Sequence, residues 1–491
     1  MNLKNLKTLS ISFLTLFNTL LLAQATPTSS LKSNGEVIYN EPQKKVDNFL
    51  NMFSEGNFYG RLRNNNFLFS TKNKNVPVNA LGATLIYKSA NYAGFDFNVG
   101  VYTSYSFFDT NDFNNVRVSK GKDTFSRYKY ETQEERYMAL LGQLNLGYTF
   151  SQTKLVLGRQ LVETFYTRSN DTKMIPNTFD GLVLQSKDIK NSKITLAYLH
   201  KQKLRDHTSA HSILMYGDRN SSSTSIPKWT ENDDSAMHRG LTYSAFKAAG
   251  KPTDTPLIVL DAKNKSIENL KIRFASYLVP ELISQIMTEI NYKIKFDGFT
   301  VTPSVRYIQQ FDNGAGNIGG AALKGNVNAT NPAGYKNPNS LNSQMIAAKL
   351  VTKIDDYTIN LAYTNILDKS DLVTPWRGFP TAGYTRSMGI YNWRANTKSY
   401  RLQISKGGLT PGDYRDGLSF LSILYLDEDE AKFIKNEHRV NSMYYFAAYV
   451  KNLKAYPQFQ YRIRFGYRDF EKNTSEHINY LDSRLEFNYL F

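Results

Sequence analysis

Cationic side chains recur on one face of alternating segments along this chain. In 459 to 468, Phe459, Tyr461, Ile463, Phe465 and Tyr467 alternate with Gln460, Arg462, Arg464 and Arg468. Lys271 and Arg273 oppose Ile272 and Phe274, Arg306 opposes Val305 and Tyr307, and Arg401 opposes Tyr400 and Leu402. Arg61, Arg63 and Arg484 sit in similar patterns near the two ends. A guanidinium grips a carboxylate through two parallel hydrogen bonds, and a column of them offers a moving anion successive weak contacts. The alternative is that each arginine solvates a wet wall or forms half of an ion pair, with Asp482 and Glu486 as available partners. Either way the chemistry is binding, not bond-making. The absence of Cys excludes thiol catalysis, disulfides and Cys-containing zinc sites. Six His leave little room for a His cluster; His207 and His211 are four apart but have no third ligand nearby. No Gly-x-Ser-x-Gly, Walker loop or His-Glu-x-x-His occurs, so no catalytic residue, metal or cofactor is expected.

A period of two requires strands. The last one reads Leu481, Leu485, Phe487, Tyr489 and Phe491 on one side and Asp482, Arg484, Glu486 and Asn488 on the other. A sheet with an oily face and an ionised face fits a transmembrane barrel wall, and cations on the lipid side would cost roughly 2 to 4 kcal/mol each at midplane. The arginines therefore belong inside. Aromatics at 13%, 29 Gly and a mean hydropathy of -0.45 suit aromatic girdles around a polar lumen. The formal charge of +17 would otherwise suggest nucleic acid or an acidic surface; its position on one face of the strands argues against nucleic acid. A terminal Phe491 after alternating hydrophobics also resembles the signal read by the barrel-assembly machinery.

Lys4 and Lys7 precede an apolar run from Leu9 to Leu22 and then Ala23-Gln24-Ala25, which reads as a secretory signal cut near Ala25. Residues 26–56 form a periplasmic segment: Thr26 to Gln43 is polar and expected to be loose, and Val46 to Phe53 has the spacing of a short helix or plug. The barrel occupies 57–491. Alternating segments at 57–70, 79–90, 95–108, 137–150, 154–163, 181–187, 193–201, 256–264, 270–278, 284–296, 299–311, 343–353, 357–367, 398–406, 418–426, 440–452, 458–468 and 479–491 make about eighteen strands. Dropping Pro256 to Asn264 with a neighbour would give sixteen. Every long connection (109–136, 202–255, 312–342, 368–397) falls on the same side of the strands, as external loops do, while short turns fall on the other. Trp376-Arg377-Gly378-Phe379-Pro380 is an aromatic loop segment that either lids a pore or touches another surface.

Leu157-Gly158-Arg159-Gln160 followed by Asp171-Thr172-Lys173-Met174-Ile175-Pro176-Asn177-Thr178-Phe179-Asp180-Gly181 resembles the OprD family of outer-membrane porins. In that family a Gly-Arg-Gln strand end leads into a loop reading Asp-x-Arg-x-x-Pro-x-x-Phe-x-Gly. Gly407-Gly408-Leu409-Thr410-Pro411-Gly412 and Tyr92-Ala93-Gly94-Phe95 are similar to two further family turns. The resemblance implies an eighteen-stranded monomer whose third external loop folds inward opposite a ladder of basic residues that guides carboxylates. By position, Arg159 would join the ladder, and Asp171 and Asp180 would be acids of the constricting loop. Lys173 stands where the family has Arg, and Pro176, Phe179 and Gly181 would shape the loop. Trimeric porins share much of this composition, so a trimer stays open.

The sequence thus predicts an all-β, antiparallel up-and-down transmembrane barrel in a bacterial outer membrane. Its partners would be membrane lipid and small carboxylate or amino-acid-like solutes diffusing passively. The competing reading is an adhesin acting through the long loops 202–255 and 312–342.

Overall fold

The computed structural model describes residues 28–107, 123–217, 232, 234, 236–325, 327–434, 437–474 and 477–491. The segment 1–25, where a secretory signal is expected, and parts of the connections 109–136 and 202–255 lie outside them.

Eighteen antiparallel strands close into one barrel. They are β1 (Asn57–Thr71), β2 (Lys74–Lys88), β3 (Phe95–Phe107), β4 (Tyr137–Phe150), β5 (Thr153–Gln160), β6 (Thr178–Ser186), β7 (Ser192–Lys203), β8 (Leu257–Asn264) and β9 (Leu270–Val279). The circuit continues with β10 (Ile283–Tyr292, extended by Ile294–Phe296), β11 (Phe299–Asp312), β12 (Ser343–Ile354), β13 (Tyr357–Ile366), β14 (Thr397–Gly407), β15 (Leu418–Glu428), β16 (Ser442–Asn452), β17 (Phe459–Phe470) and β18 (Tyr480–Leu490). Each strand pairs with its neighbours in sequence, and β18 returns to β1 from Tyr480 opposite Thr71 to Leu490 opposite Arg61. Closure leaves no unpaired edge, which is what a wall without water on its outer side requires. The segment at Pro256 to Asn264 is therefore a wall strand, β8, and the sixteen-strand alternative falls away.

The period-two pattern divides the wall as expected. Val305, Leu361, Leu402, Leu421 and Phe465 are 40 to 63% exposed on the outer face, whereas Arg306, Arg462 and Glu486 on the inner face are at most 5% exposed. Aromatic pairs lie near both rims, Phe296 stacked on Phe299 at one and Tyr445 on Tyr467 at the other. Among the described residues no helix is long and apolar enough to cross a membrane. The strands carry the apolar surface instead.

The longest connections follow β3, β7, β11 and β13, all on one rim, together with the loop of 161–177 after β5. Leu214, Met237, Leu241, Leu323, Leu372 and Trp376, from the connections after β7, β11 and β13, share an apolar core with Tyr277 and Ile308 of the wall, so the described parts of these three loops fold into the bore and bury their own hydrophobes.

The segment before β1 departs from expectation. Thr26 to Gln43 was predicted to be loose, yet Ser29–Leu31 pairs antiparallel with Val37–Tyr39 and the hairpin lies against the inner wall. Leu31 is fully buried. A short helix α1 follows at Phe49–Ser54, capped by Asn48, whose side chain accepts from the Leu50 N–H at 2.7 Å.

Candidate functional site

The loop of 161–177 crosses the bore. Its entry packs Phe165 and Tyr166 against the β9 to β11 wall, where Tyr166 meets Tyr277 edge-on at 4.8 Å. Asp261 accepts from the Phe165 N–H at 2.6 Å and from Arg273 Nε at 3.0 Å. Arg306 stands 4.9 Å from the Phe165 ring. Arg306 also bonds Glu289 at 2.8 Å and the carbonyls of Pro380 and Ala382 at 2.7 and 2.9 Å.

At the far side the same loop reaches β1. One carboxylate oxygen of Asp171 accepts from Arg61 at 3.2 Å and Arg63 at 2.5 Å. The Lys173 carbonyl accepts from Arg63 at 2.5 Å and Asn65 at 2.9 Å, while the Lys173 ammonium lies 4.5 Å over the Phe67 ring. Met174 and Ile175 are fully buried among Tyr59, Ala80, Tyr102 and Met138. Pro176 gives its carbonyl to Lys203 at 3.1 Å, and Phe179 is buried in the main apolar core. A Cβ at Gly181 would overlap the Tyr198 carbonyl, so only glycine permits that approach of strands.

Beside β1 the inner face of β17 and β18 carries the rest of the basic set. Arg462 and Arg464 both bond Glu486, and Arg484 grips Asp482 at 3.0 and 2.7 Å. Arg61, Arg63, Arg462, Arg464 and Arg484 thus share Asp171, Glu486 and Asp482. Five guanidiniums meet three carboxylates, and the wall stays net positive. Arg468 sits higher, on Ser442 at 3.0 Å and Glu428 at 3.3 Å. Lys271 faces inward near the other rim and is exposed.

Arg159 is not with this set. Its register places it opposite Leu144 and Asp180, on the outer face shared with Leu157 and Leu182, because β5 stays paired through Gly158. There it holds both oxygens of Asp180 at 2.7 Å. Asp180 is accordingly a partner of Arg159 on the outside, and Asp171 is the inward-loop acid that meets the β1 arginines.

One cationic group, Arg386, had no sequence signal. Arg386 lies in the loop of 367–396, with the rings of Phe379, Tyr391 and Trp393 within 4.5 to 5.8 Å. Among the described residues its Nε and one terminal nitrogen have no hydrogen-bond partner, and neither does Nε of Arg401, whose terminal nitrogens bond the Tyr384 carbonyl at 3.2 Å and Gln403. Among the described residues no carboxylate pairs with either. The aromatic segment at 376–380 packs inward: Trp376 is fully buried and donates to the Ile213 carbonyl at 2.8 Å. Arg377 pairs with Asp234, and Arg205 with Asp123. Burial opposes the Asp123 charge, but Arg205 and Arg377 outweigh it and hold its carboxyl well below the usual range. His207 and His211 are buried with rings 4.8 Å apart, and no group of three metal-ligating side chains occurs among the described residues.

A sealed sheet with an apolar outside, an ionised inside and a loop folded across its bore defines a porin-type barrel. Residues 112–251 match the model of the outer membrane porin, OprD family. No curated protein sequence matches the chain. Among solved structures, Acinetobacter baumannii OccAB1 is similar at 16% identity and a TM-score of 0.67, with 90% of this chain and 97% of that one covered. Pseudomonas aeruginosa OpdK, solved with vanillate, gives 11%, 0.65, 90% and 99%. Pseudomonas aeruginosa OccK8 gives 12%, 0.66, 90% and 99%. The chain resembles the OprD family in sequence over the loop-bearing stretch and shares the barrel of these structures over most of its length.

Proposed function

We propose that the chain is an OprD-type outer-membrane porin through which small polar and anionic solutes, carboxylates among them, diffuse passively. The observation that carries this reading is the loop of 161–177, which narrows the bore against a wall holding more guanidiniums than carboxylates. Such a wall attracts anions without trapping them, since each arginine already has a partner and offers only its residual field and spare N–H groups. OpdK, solved with vanillate, is a similar barrel seen with a carboxylate. In this reading the rim where β1 begins and β18 finishes is periplasmic and the long loops are external. Those loops bury Leu214, Met237 and Leu323 inside the barrel, which favours a channel over an adhesin.

Reconstitution in planar bilayers tests this reading. Stepwise conductance with anion preference is expected; a silent, correctly folded protein would refute it. Liposome uptake of carboxylates, amino acids, sugars and cations would then rank the solutes.

A further inference from the structure

The hairpin of residues 28–40 occupies the bore at the end where β1 begins and β18 finishes. Gln460 Nε2 donates to the Leu31 carbonyl at 2.8 Å, Arg462 donates to the Ser33 carbonyl, and the Ser33 N–H donates to the Tyr414 hydroxyl at 2.9 Å. On the opposite side the Tyr39 ring meets Tyr59 at 4.5 Å, and the Lys88 ammonium lies 3.5 Å over it. The tip touches the inward loop: Gly35, at φ +87°, packs so closely on the Asp171 carbonyl that a Cβ would overlap it. The hairpin therefore reaches from β17 to β1 and β2 and up to the constriction. Beneath it and the inward loop, Arg61, Arg63 and Arg462 are only 1 to 4% exposed.

The attachments have a particular chemistry. Gln460 and Arg462 are two apart on one strand face, so their donors point into the same stretch of bore. Both are capped by neutral backbone carbonyls. A hydrogen bond with an ionised partner is roughly twice as strong as a neutral one, so the Gln460 amide, now on the neutral Leu31 carbonyl, would gain from a carboxylate. Among the described residues no ion pair ties the hairpin to the wall; its Lys32 pairs with its own Glu36. Its link to the barrel, residues 40–44, is exposed.

We propose that residues 28–40 form a movable plug whose Leu31 and Ser33 carbonyls occupy, on Gln460 and Arg462, the subsite a solute carboxylate takes when the plug swings out. This rests on the channel reading above. Entry of a carboxylate and departure of the hairpin are then competing events at the same donors.

Deletion of 28–40 is the first test, with bilayer recordings of the full chain and the variant side by side. Several-fold larger conductance in the deletion is expected; equal conductance overturns the plug while leaving the channel intact, and silence from both overturns the channel instead. Succinate should depress the chloride current of the deletion variant, and Gln460→Leu added to it should weaken that effect several-fold; an unchanged effect removes the subsite. A lock keeps the idea testable should the deletion misfold. Ser30 Cβ lies 3.2 Å from where a Cβ on Gly412 would stand, within a few tenths of an ångström of disulfide spacing. Because the chain has no Cys, S30C/G412C would form a single bond. With bond formation verified by mass, oxidation should slow succinate uptake into liposomes several-fold and reductant should restore it. Equal uptake in both states would overturn the movable plug.

Discussion

Two parts of the bore lining carry arginines under opposite conditions. On β17, β18 and β1 every guanidinium has a carboxylate: Glu486 serves Arg462 and Arg464, Asp482 serves Arg484, and Asp171 serves Arg61 and Arg63. In the loop of 367–396 and on neighbouring β14, Arg386 and Arg401 have none among the described residues and leave buried N–H groups unbonded. Paired charge is structural first, because a buried ion needs its partner. Charge without a carboxylate partner in a lumen is free to act on what passes. The first region should therefore govern whether the barrel holds together, and the second how it sorts ions.

The largest effect should come from Glu486→Gln, which strands two buried guanidiniums. Breaking such a pair costs about 3 to 5 kcal/mol, so the variant should lose its heat-resistant folded band on gels well before the wild type. Retention of full stability would erase the contrast between the regions. Next comes Arg386→Gln with Arg401→Gln: anion preference, read as reversal potential in a salt gradient, should fall clearly, with a stability change under about 1 kcal/mol because no partner is stranded. Arg462→Gln with Arg464→Gln should also lower anion preference, but at a cost in stability; an unchanged preference would remove those rungs from the conduction account. Asp171→Asn is milder. It removes the loop's ion pairs with Arg61 and Arg63 while the Lys173 carbonyl keeps its bond to Arg63, and should raise conductance with more flicker.

A control outside both regions is Asp188, in the turn between β6 and β7. Ser151, Thr153 and the Gln152 N–H hold its carboxyl down to about 2. Since the folded pKa lies below the unfolded value of about 3.9, its stabilisation is present above that value and is lost as pH falls through about 2. Asp188→Asn should flatten that acid limb slightly in thermal melts and leave conductance unchanged.

The wall was legible because lipid and water impose a two-residue alternation that the sequence must obey: Phe459 to Arg468 fall on the faces their parity assigns. The start of β2 was missed by five residues, since Asn75 and Pro77 break the apolar rhythm although the ladder with β1 continues. Ion pairing of Arg462 with Glu486 was one of two alternatives from sequence, because only register decides which charges meet across strands. The hairpin left no signal: Ser-Ser-Leu and Val-Ile-Tyr are too short to show a period. Arg386 left none either, being held by loop packing with no periodicity to mark its direction.

The most direct measurement is the reversal potential of single channels of the purified protein across a potassium chloride gradient. A net-cationic bore predicts discrete openings that favour chloride, with the preference reduced when Arg386 and Arg401 are neutralised. Openings that favour potassium, or none at all from a folded barrel, would contradict it.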